Sequence, residues 1–548
     1  MTRMASDDHG GKVPRAIPKL PEIPEQERTP LVVILLETIS LLKEMNQALK
    51  DEVARLKGLK GKPEIQPSKL EGDRDTRRQE RNRRKASRKD QRRPGSQKRC
   101  KTKDLEIHDT VLIPPANIPE GSTFKGYQDY TIQDLVITVH NTRYRLERWQ
   151  TPDGKHLVGK LPEELRGGHL GPTLVSYVLF QYYQNHVTQP LLLEELLELG
   201  LDISEGQVNR IITEGKERFH QEKDDILRVG LEVSGHINVD DTGARHQGKN
   251  GFCTHVGNEL FAWFQSTESK SRVNFLKLLR AGEKDYVLSE IALTYMQEQR
   301  LPKAQLEALR NHLGQRFEGD GPWEAFLHSL DIVRPHHARY ATEGALLGSI
   351  LSHGLNPELV IISDDAGQFD VLLHGLCWIH AERLMVKLVG FNDNQRQAIK
   401  DVRSQIWQLY DELKAYREAP TEERKAELEK QFDEVFTQRT CFASLNRTLK
   451  QLHRNKRELL LVLRRPDIPL HNNLSENDIR DYVKWRKISG STRSELGRRC
   501  RDTFVSLRKT CRKLGISFWS FLKDRLTGQE RIPPLPEIIR ARAQAGFT

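Results

Sequence analysis

The stretch His236–His246, HINVDDTGARH, decides how the chain is read. Ile237, Asn238 and Val239 alternate apolar, polar, apolar, as a short half-buried strand does. Asp240, Asp241 and Thr242 then stand where an ordinary strand would go on alternating. Asp-Thr-Gly is also good turn chemistry, so this stretch alone is compatible with a surface turn. Two later segments repeat the feature. LVIISDDAGQF, Leu359–Phe369, is an apolar run that ends in Ser363, Asp364 and Asp365 with a glycine soon after. LHNNLSENDIRDYVKWRK, Leu470–Lys487, places Glu476 in the first turn of an expected helix whose Ile479 and Val483 face inward. Acids so far apart in sequence on rigid elements suggest a site assembled by folding. The chemistry that uses such a set is metal-assisted phosphoryl transfer, in which two Mg²⁺ ions about 4 Å apart take oxygen ligands; Mn²⁺ can substitute.

Composition narrows the partners. At 548 residues the chain is too long for one ordinary domain. Its net charge of +11 favours contact with a polyanion such as DNA or RNA. No apolar run is long enough to span a bilayer, and the start MTRMASDDHGGK lacks the apolar core of a signal peptide, so a cytoplasmic, nucleoid-associated protein without membrane contact is expected. The cysteines Cys100, Cys253, Cys377, Cys441, Cys500 and Cys511 form no CxxC pair, as suits reduced thiols without a structural zinc site.

The order of segments follows from periodicity. After an N-terminus (1–30) expected to be disordered, Leu35, Leu42, Leu49 and Leu56 recur every seventh residue with Val32, Ile39, Asn46 and Val53 on the other seam, which predicts a coiled-coil dimerisation helix over 31–60 and a homodimer. Residues 61–104 are basic and almost free of apolar side chains, a flexible linker suited to phosphate backbone. Over 105–162, alternating Leu135, Ile137 and Val139, then Tyr144, Leu146 and Trp149, predict a small β module of open function. Over 163–232 the pattern is helical: a helix ends near Gly200, Ser204 caps the next, and Val208, Ile211 and Ile212 form its apolar face. This reads as a helix-turn-helix with Gln207, Asn209 and Arg210 on the side that meets base edges of double-stranded DNA. A catalytic domain is expected over 233–525, with helical insertions at about 283–355 and 391–464, then a C-terminal tail, 526–548.

In series, these motifs resemble one family. INVDDT is similar to the first strand of DDE transposases and retroviral integrases, SDDAGQF to their second, and NNLSENDIR to the Glu-bearing helix of bacterial insertion-sequence transposases of the IS-sixty-six group. That group also carries a Cys-Trp-x-His-x-x-Arg segment, present here as CWIHAER with Cys377, Trp378, His380 and Arg383. The resemblance implies a multidomain protein with an α/β RNase H-like catalytic domain, in which Asp240, Asp364 and Glu476 are catalytic acids and ligands for two Mg²⁺ ions. Asp241 and Asp365 remain alternatives. It implies cleavage at mobile-element ends and joining of the 3′-hydroxyl to target DNA, with accessory transposition proteins as further partners. The rivals are a nuclease on the same fold and a non-enzymatic DNA-binding regulator. Arg480 and Lys484, on the Glu476 helix, and Arg508 and Lys509, in the basic segment beyond it, are expected to contact DNA; an internal salt bridge is the alternative for Arg480. The apolar face with Phe504, Leu507, Cys511 and Leu514 is expected to pack on the sheet. Cys377 and His380 are explained by a core helix with Trp378 better than as metal ligands. His336 and His337 have no acid partner. Family members often have paired cysteines before the helix-turn-helix, which this chain lacks there.

Overall fold

The computed structural model describes residues 105–162 and 168–546, together with Val32 and Ile39. The expected coiled coil and most of the basic linker lie outside the described residues. The described chain is mixed α/β and divides into a small unit, 105–159 with 194–203, and a large one, 160–193 with 204–546.

In the small unit, Arg148–Gln150 and His156–Val158 form an antiparallel ribbon closed by a turn in which the Thr151 amide donates to Lys155 O at 2.8 Å. The strand expected at Leu135, Ile137 and Val139 does not form, and Leu135 and Ile137 are exposed. Alternation favours a strand only where a neighbour supplies ladder hydrogen bonds and a face to bury, and among the described residues this segment has neither.

The large unit is built on five strands: β1 (His236–Gly243), β2 (Phe252–Gly257), β3 (Ala262–Thr267), β4 (Val360–Ser363) and β5 (Leu373–Leu376). Their order is β3-β2-β1-β4-β5. The first three form an antiparallel meander, whereas β4 lies parallel to β1 and β5 parallel to β4. Ile237, Val239 and Val360–Ile362 are buried, as expected for central strands covered on both faces. The strand, expected over Ile237–Val239 with Asp240 at its end, continues to Gly243, because β2 pairs with it from Asn238 onward.

Four helices matter for the site: α1 (Glu217–Val233), α2 (Trp378–Val386), α3 (Asn473–Ser489) and α4 (Glu495–Lys513). Helix α4 closes the β3 edge by an unexpected device. Asp502, Ser506 and Thr510 recur every fourth residue along it, and their side chains accept from the backbone N–H groups of Ser266, Phe264 and Ala262 at 2.8, 2.9 and 3.1 Å. Four residues of helix rise about 6 Å and two of strand about 6.6 Å, so the two repeats stay in step and the edge is satisfied by side chains. The apolar side of α4 is buried as expected, but Phe504 turns to other helices, stacking on Tyr183 at 4.2 Å and meeting Phe219 of α1 at 5.1 Å.

Both insertions are present. The first is helical apart from an antiparallel ribbon, Asp285–Val287 with Arg316–Glu318. Its longest helix, Pro335–Ser352, carries His336 and His337 and approaches the preceding chain so closely that a Cβ on Gly348 would lie 2.2 Å from Val287 O. Gly348→Ala is therefore expected to destabilise the fold by about 1–3 kcal/mol, read as a lower urea midpoint at unchanged m. The second insertion, mainly Asp393–Glu418, Glu422–Thr437 and Ala443–Arg454, packs Phe432 and Phe436 with Trp378 of α2 and with Val360, Ile362 and Leu376 of the sheet in one apolar core. The expected C-terminal tail contains a further helix, Leu535–Gln544, with Leu535 and Ile539 buried. No described helix is long and apolar enough to cross a membrane.

Candidate active site

Strand register and one helix contact set the positions of the three candidate acids. β1 and β4 pair His236 with Val360, Ile237 with Ile361 and Asn238 with Ile362. Continued two places, that register would set Asp364 opposite Asp240, and the Asp364 charge is felt at Asp240. The parallel ladder has stopped by then, while β2 still pairs with β1 on its other side, so the strand flank at Asp240 is open towards Asp364. Asn238 shares the face of Asp240, since side chains alternate along a strand. Its amide donates to Asn472 Oδ1 at 2.9 Å, and Asn472 Nδ2 donates to Val239 O at 2.7 Å. Asn472 is the N-cap of α3, and its carbonyl accepts from the Glu476 amide at 3.2 Å. Glu476 is thus placed one helical turn from a buried asparagine pair that ties α3 to β1.

Electrostatics report the convergence. Burial, together with the charges of Asp364, Asp241 and Glu476, pushes the Asp240 carboxyl up to about 7, against a partial offset from the Asp241 amide. Asp364 Oδ1 is buried without a hydrogen-bond partner among the described residues. The sign of the stability effect follows. A carboxyl whose folded pKa lies above its unfolded value of about 3.9 favours folding while protonated, so stability falls as pH rises from about 4 through 7 and levels off above. With chelator present, Asp240→Asn is expected to become more stable than the parent chain as pH rises from 5 to 8, by roughly 3–5 kcal/mol at the top of that range. Urea midpoints of the two proteins against pH check this, and parallel curves would contradict it.

The alternative acids sit differently. Asp241 accepts from Thr254 Oγ1 at 2.5 Å and from Gln368 Nε2 at 3.0 Å, so it tethers the loop after β4 to the meander. Asp365 is exposed, and Gln451 of the second insertion reaches it at 3.4 Å.

Helix α2 completes the surroundings of Glu476. Arg383 Nη1 and Nη2 donate to Glu476 Oε1 and Oε2 at 2.8 and 3.3 Å, a forked pair, and His380 Nε2 lies 3.6 Å from Oε1. Burial holds the His380 imidazole below its usual range. Arg480 also donates to Glu476, at 3.2 Å, which makes the internal bridge its observed partnership. Cys377 caps α2, and its buried sulfur accepts from the Asn472 amide at 3.1 Å. Burial pushes this thiol up to about 11, so it stays neutral and serves as a clasp between α2 and α3. The motif containing His380 and Arg383 was legible in sequence, but its contact with Glu476 was not.

Two expected DNA contacts are corrected. Arg508 and Lys509 are buried against α3, with Arg508 Nη2 2.6 Å and Lys509 Nζ 3.1 Å from Asp481 Oδ2. Lys509 and Lys513 also flank Asp478, at 3.4 and 3.0 Å, and His255 Nε2 lies 3.3 Å from it. A basic run read as a DNA track is, apart from exposed Arg512, half of a buried ion layer whose acids stand two and five places beyond Glu476. Lys484 is exposed, as expected. In the helical pair, Gln189–Glu198 and Glu205–Thr213, Ser204 and Gln207 form a reciprocal capping box. The Gln207 side-chain oxygen is taken by that cap, whereas Asn209 and Arg210 are exposed.

Comparison with known proteins follows this geometry. The family model described as "Transposase IS66 family" matches residues 362–499, the span that holds Asp364, the CWIHAER segment and Glu476. The chain is also similar to the uncharacterized protein y4jO of Sinorhizobium fredii, 44% identical over 321 residues that make up 58% of this chain and all of the relative's length. Over residues 362–499 the chain is identified as a member of the IS66 transposase family.

Proposed function

We propose that this chain is a DDE transposase with an RNase H-like catalytic domain, which cuts DNA at the ends of a mobile element and joins the freed 3′-hydroxyl to target DNA. What supports the reading is the β1–β4 register leading to Asp240 and Asp364, the Asn238–Asn472 tie that holds the Glu476 helix to β1, and the charges of Asp364 and Glu476 felt at Asp240. The meander continued by two parallel strands supports the fold assignment.

The donor set fits divalent cations. It offers carboxylate oxygens, an excess of buried negative charge and an orphaned Asp364 Oδ1, which suit hard cations. Among the described residues no three His, Cys, Asp or Glu side chains stand together so as to hold a metal ion, and both Glu476 oxygens are engaged by guanidinium groups. Asp240, Asp364 and Glu476 would hold two Mg²⁺ ions, or Mn²⁺. Such ions, when bound, stabilise charge on the attacking and leaving oxygens of a phosphodiester.

The remaining roles belong to the chain. The Asn238–Asn472 pair fixes the angle at which α3 delivers Glu476, so little reorganisation is needed on substrate binding. Exposed Arg480 and Lys484 lie on the same helix and hold DNA backbone beside the acids. Asn209 and Arg210 read element ends from the capped helix. The zipper at 31–60 pairs two protomers, accessory transposition proteins assist, and the cytoplasmic nucleoid is the site of action.

The test supplies a precut element end bearing a free 3′-hydroxyl, a target plasmid and Mg²⁺. Joined product is expected. Hydrolysis without joining would replace the reading with a nuclease, and end binding without any cleavage or joining would replace it with a DNA-binding regulator.

A further inference from the structure

Glu476 has a cation before any metal arrives. The Arg383 fork covers both carboxylate oxygens at 2.8 and 3.3 Å, in surroundings where the two side chains are only 17% and 12% exposed. A forked guanidinium–carboxylate pair is among the stronger charge-assisted contacts, and partial burial removes the water that would weaken it. The fit is nevertheless incomplete. Arg383 Nε is buried with no acceptor, as is Asp364 Oδ1 with no donor. An arginine retained only as a structural brace would be expected to use its third donor; this one presents its fork to the acid and leaves Nε unpaired. Arg480, by contrast, is half exposed, reaches Glu476 from one helical turn away and contributes little.

We infer that Arg383 is the resident counter-cation of Glu476, and that its guanidinium competes with divalent metal for that carboxylate. This rests on the reading of Glu476 as a metal ligand. The fork occupies a lone pair on each oxygen and sets a positive charge where a divalent cation would sit, so metal loading is opposed until the fork loosens, and the strength of the fork sets the metal affinity of the resting protein. In this way α2 controls when the third acid becomes available.

The experiment titrates the full-length chain with MnCl₂ in the absence of DNA and reads free Mn²⁺ by electron paramagnetic resonance. Arg383→Gln is expected to bind Mn²⁺ about tenfold or more tightly than the parent, and Arg383→Lys, which keeps the charge without the fork, to fall between them. On a Glu476→Gln background the effect of Arg383→Gln should vanish, because the group competed for is gone. Unchanged or weaker Mn²⁺ binding by a folded Arg383→Gln protein would overturn the inference and make Arg383 a positioning residue for Glu476. If Arg383→Gln does not fold, an Arg383→Lys affinity equal to or weaker than the parent's would overturn it in the same way. If Glu476→Gln alone binds Mn²⁺ as the parent does, the assignment of Glu476 as a ligand fails, and the inference with it.

Discussion

Asp240→Asn, Asp364→Asn and Glu476→Gln are each expected to lower strand transfer by at least about 10³-fold, some 4 kcal/mol of transition-state stabilisation, while end binding changes little. Each replacement keeps the shape of the side chain and removes its charge, so the ties that place the acids survive: the β1–β4 register, the Asn238–Asn472 side-chain pair and the hydrogen bond from Glu476 N–H to Asn472 O. End recognition is assigned to Asn209 and Arg210, which belong to another part of the chain. Joining assays with a precut end, run beside gel-shift measurements on the same DNA, separate the two effects. The neighbouring acids make the discriminating controls. Asp365→Asn is expected to retain most activity, because Asp365 is exposed and bonded only to Gln451 at 3.4 Å. Asp241→Asn should cost less than Asp240→Asn, since it perturbs a tether to Thr254 and Gln368. A full loss with Asp365→Asn and none with Asp364→Asn would reassign the second acid.

Asp478→Ala is expected to destabilise the protein by about 3–5 kcal/mol. Asp478 is 7% exposed and surrounded by Lys509, Lys513 and His255. Burial alone would raise its pKa, yet His255, Lys513 and Lys509 together hold its carboxyl well below the usual carboxylate range. Removing the acid leaves two lysines between α3 and α4 with less counter-charge in a space that excludes water, which is costlier than losing an exposed ion pair. Asp481 still faces Lys509, but Lys513 loses its ion pair with Asp478. The measurement is the urea midpoint at neutral pH. Adding Lys513→Met to Asp478→Ala should recover part of the loss, and a midpoint within 0.5 kcal/mol of the parent for Asp478→Ala alone would refute the layer's structural role.

These two acids, Glu476 and Asp478, show how much of the site was readable beforehand. Both lie in the segment NNLSENDIR, and both face into the protein. Glu476 stood out because two other acids end apolar strands elsewhere in the chain, and the three motifs in series resemble one family. Asp478 carried no such signal. Its partners, His255 on β2 and Lys509 and Lys513 on α4, are distant in sequence, and nothing local says which basic residues of RRCRDTFVSLRKTCRK face inward. The same limit produced the misreading of Arg508 and Lys509. A helix with basic and apolar stripes suggests a solvated basic face, and it becomes a buried ion layer only when another helix brings acids against it.

The sequence by itself determined the two acid-bearing strands and the helix that carry Asp240, Asp364 and Glu476. Those properties are local: a period of two or of 3.6, a cap, an apolar run with an acid at its end. Tertiary structure alone decided which charges meet. It turned Asp241 into a tether, seated Arg383 on Glu476, closed the β3 edge with Asp502, Ser506 and Thr510, and left residues 105–147 without the strand their alternation suggested. The physical reason is that Coulomb and hydrogen-bond energies depend on separation in space and on excluded water, and neither quantity is written in the spacing of residues along the chain.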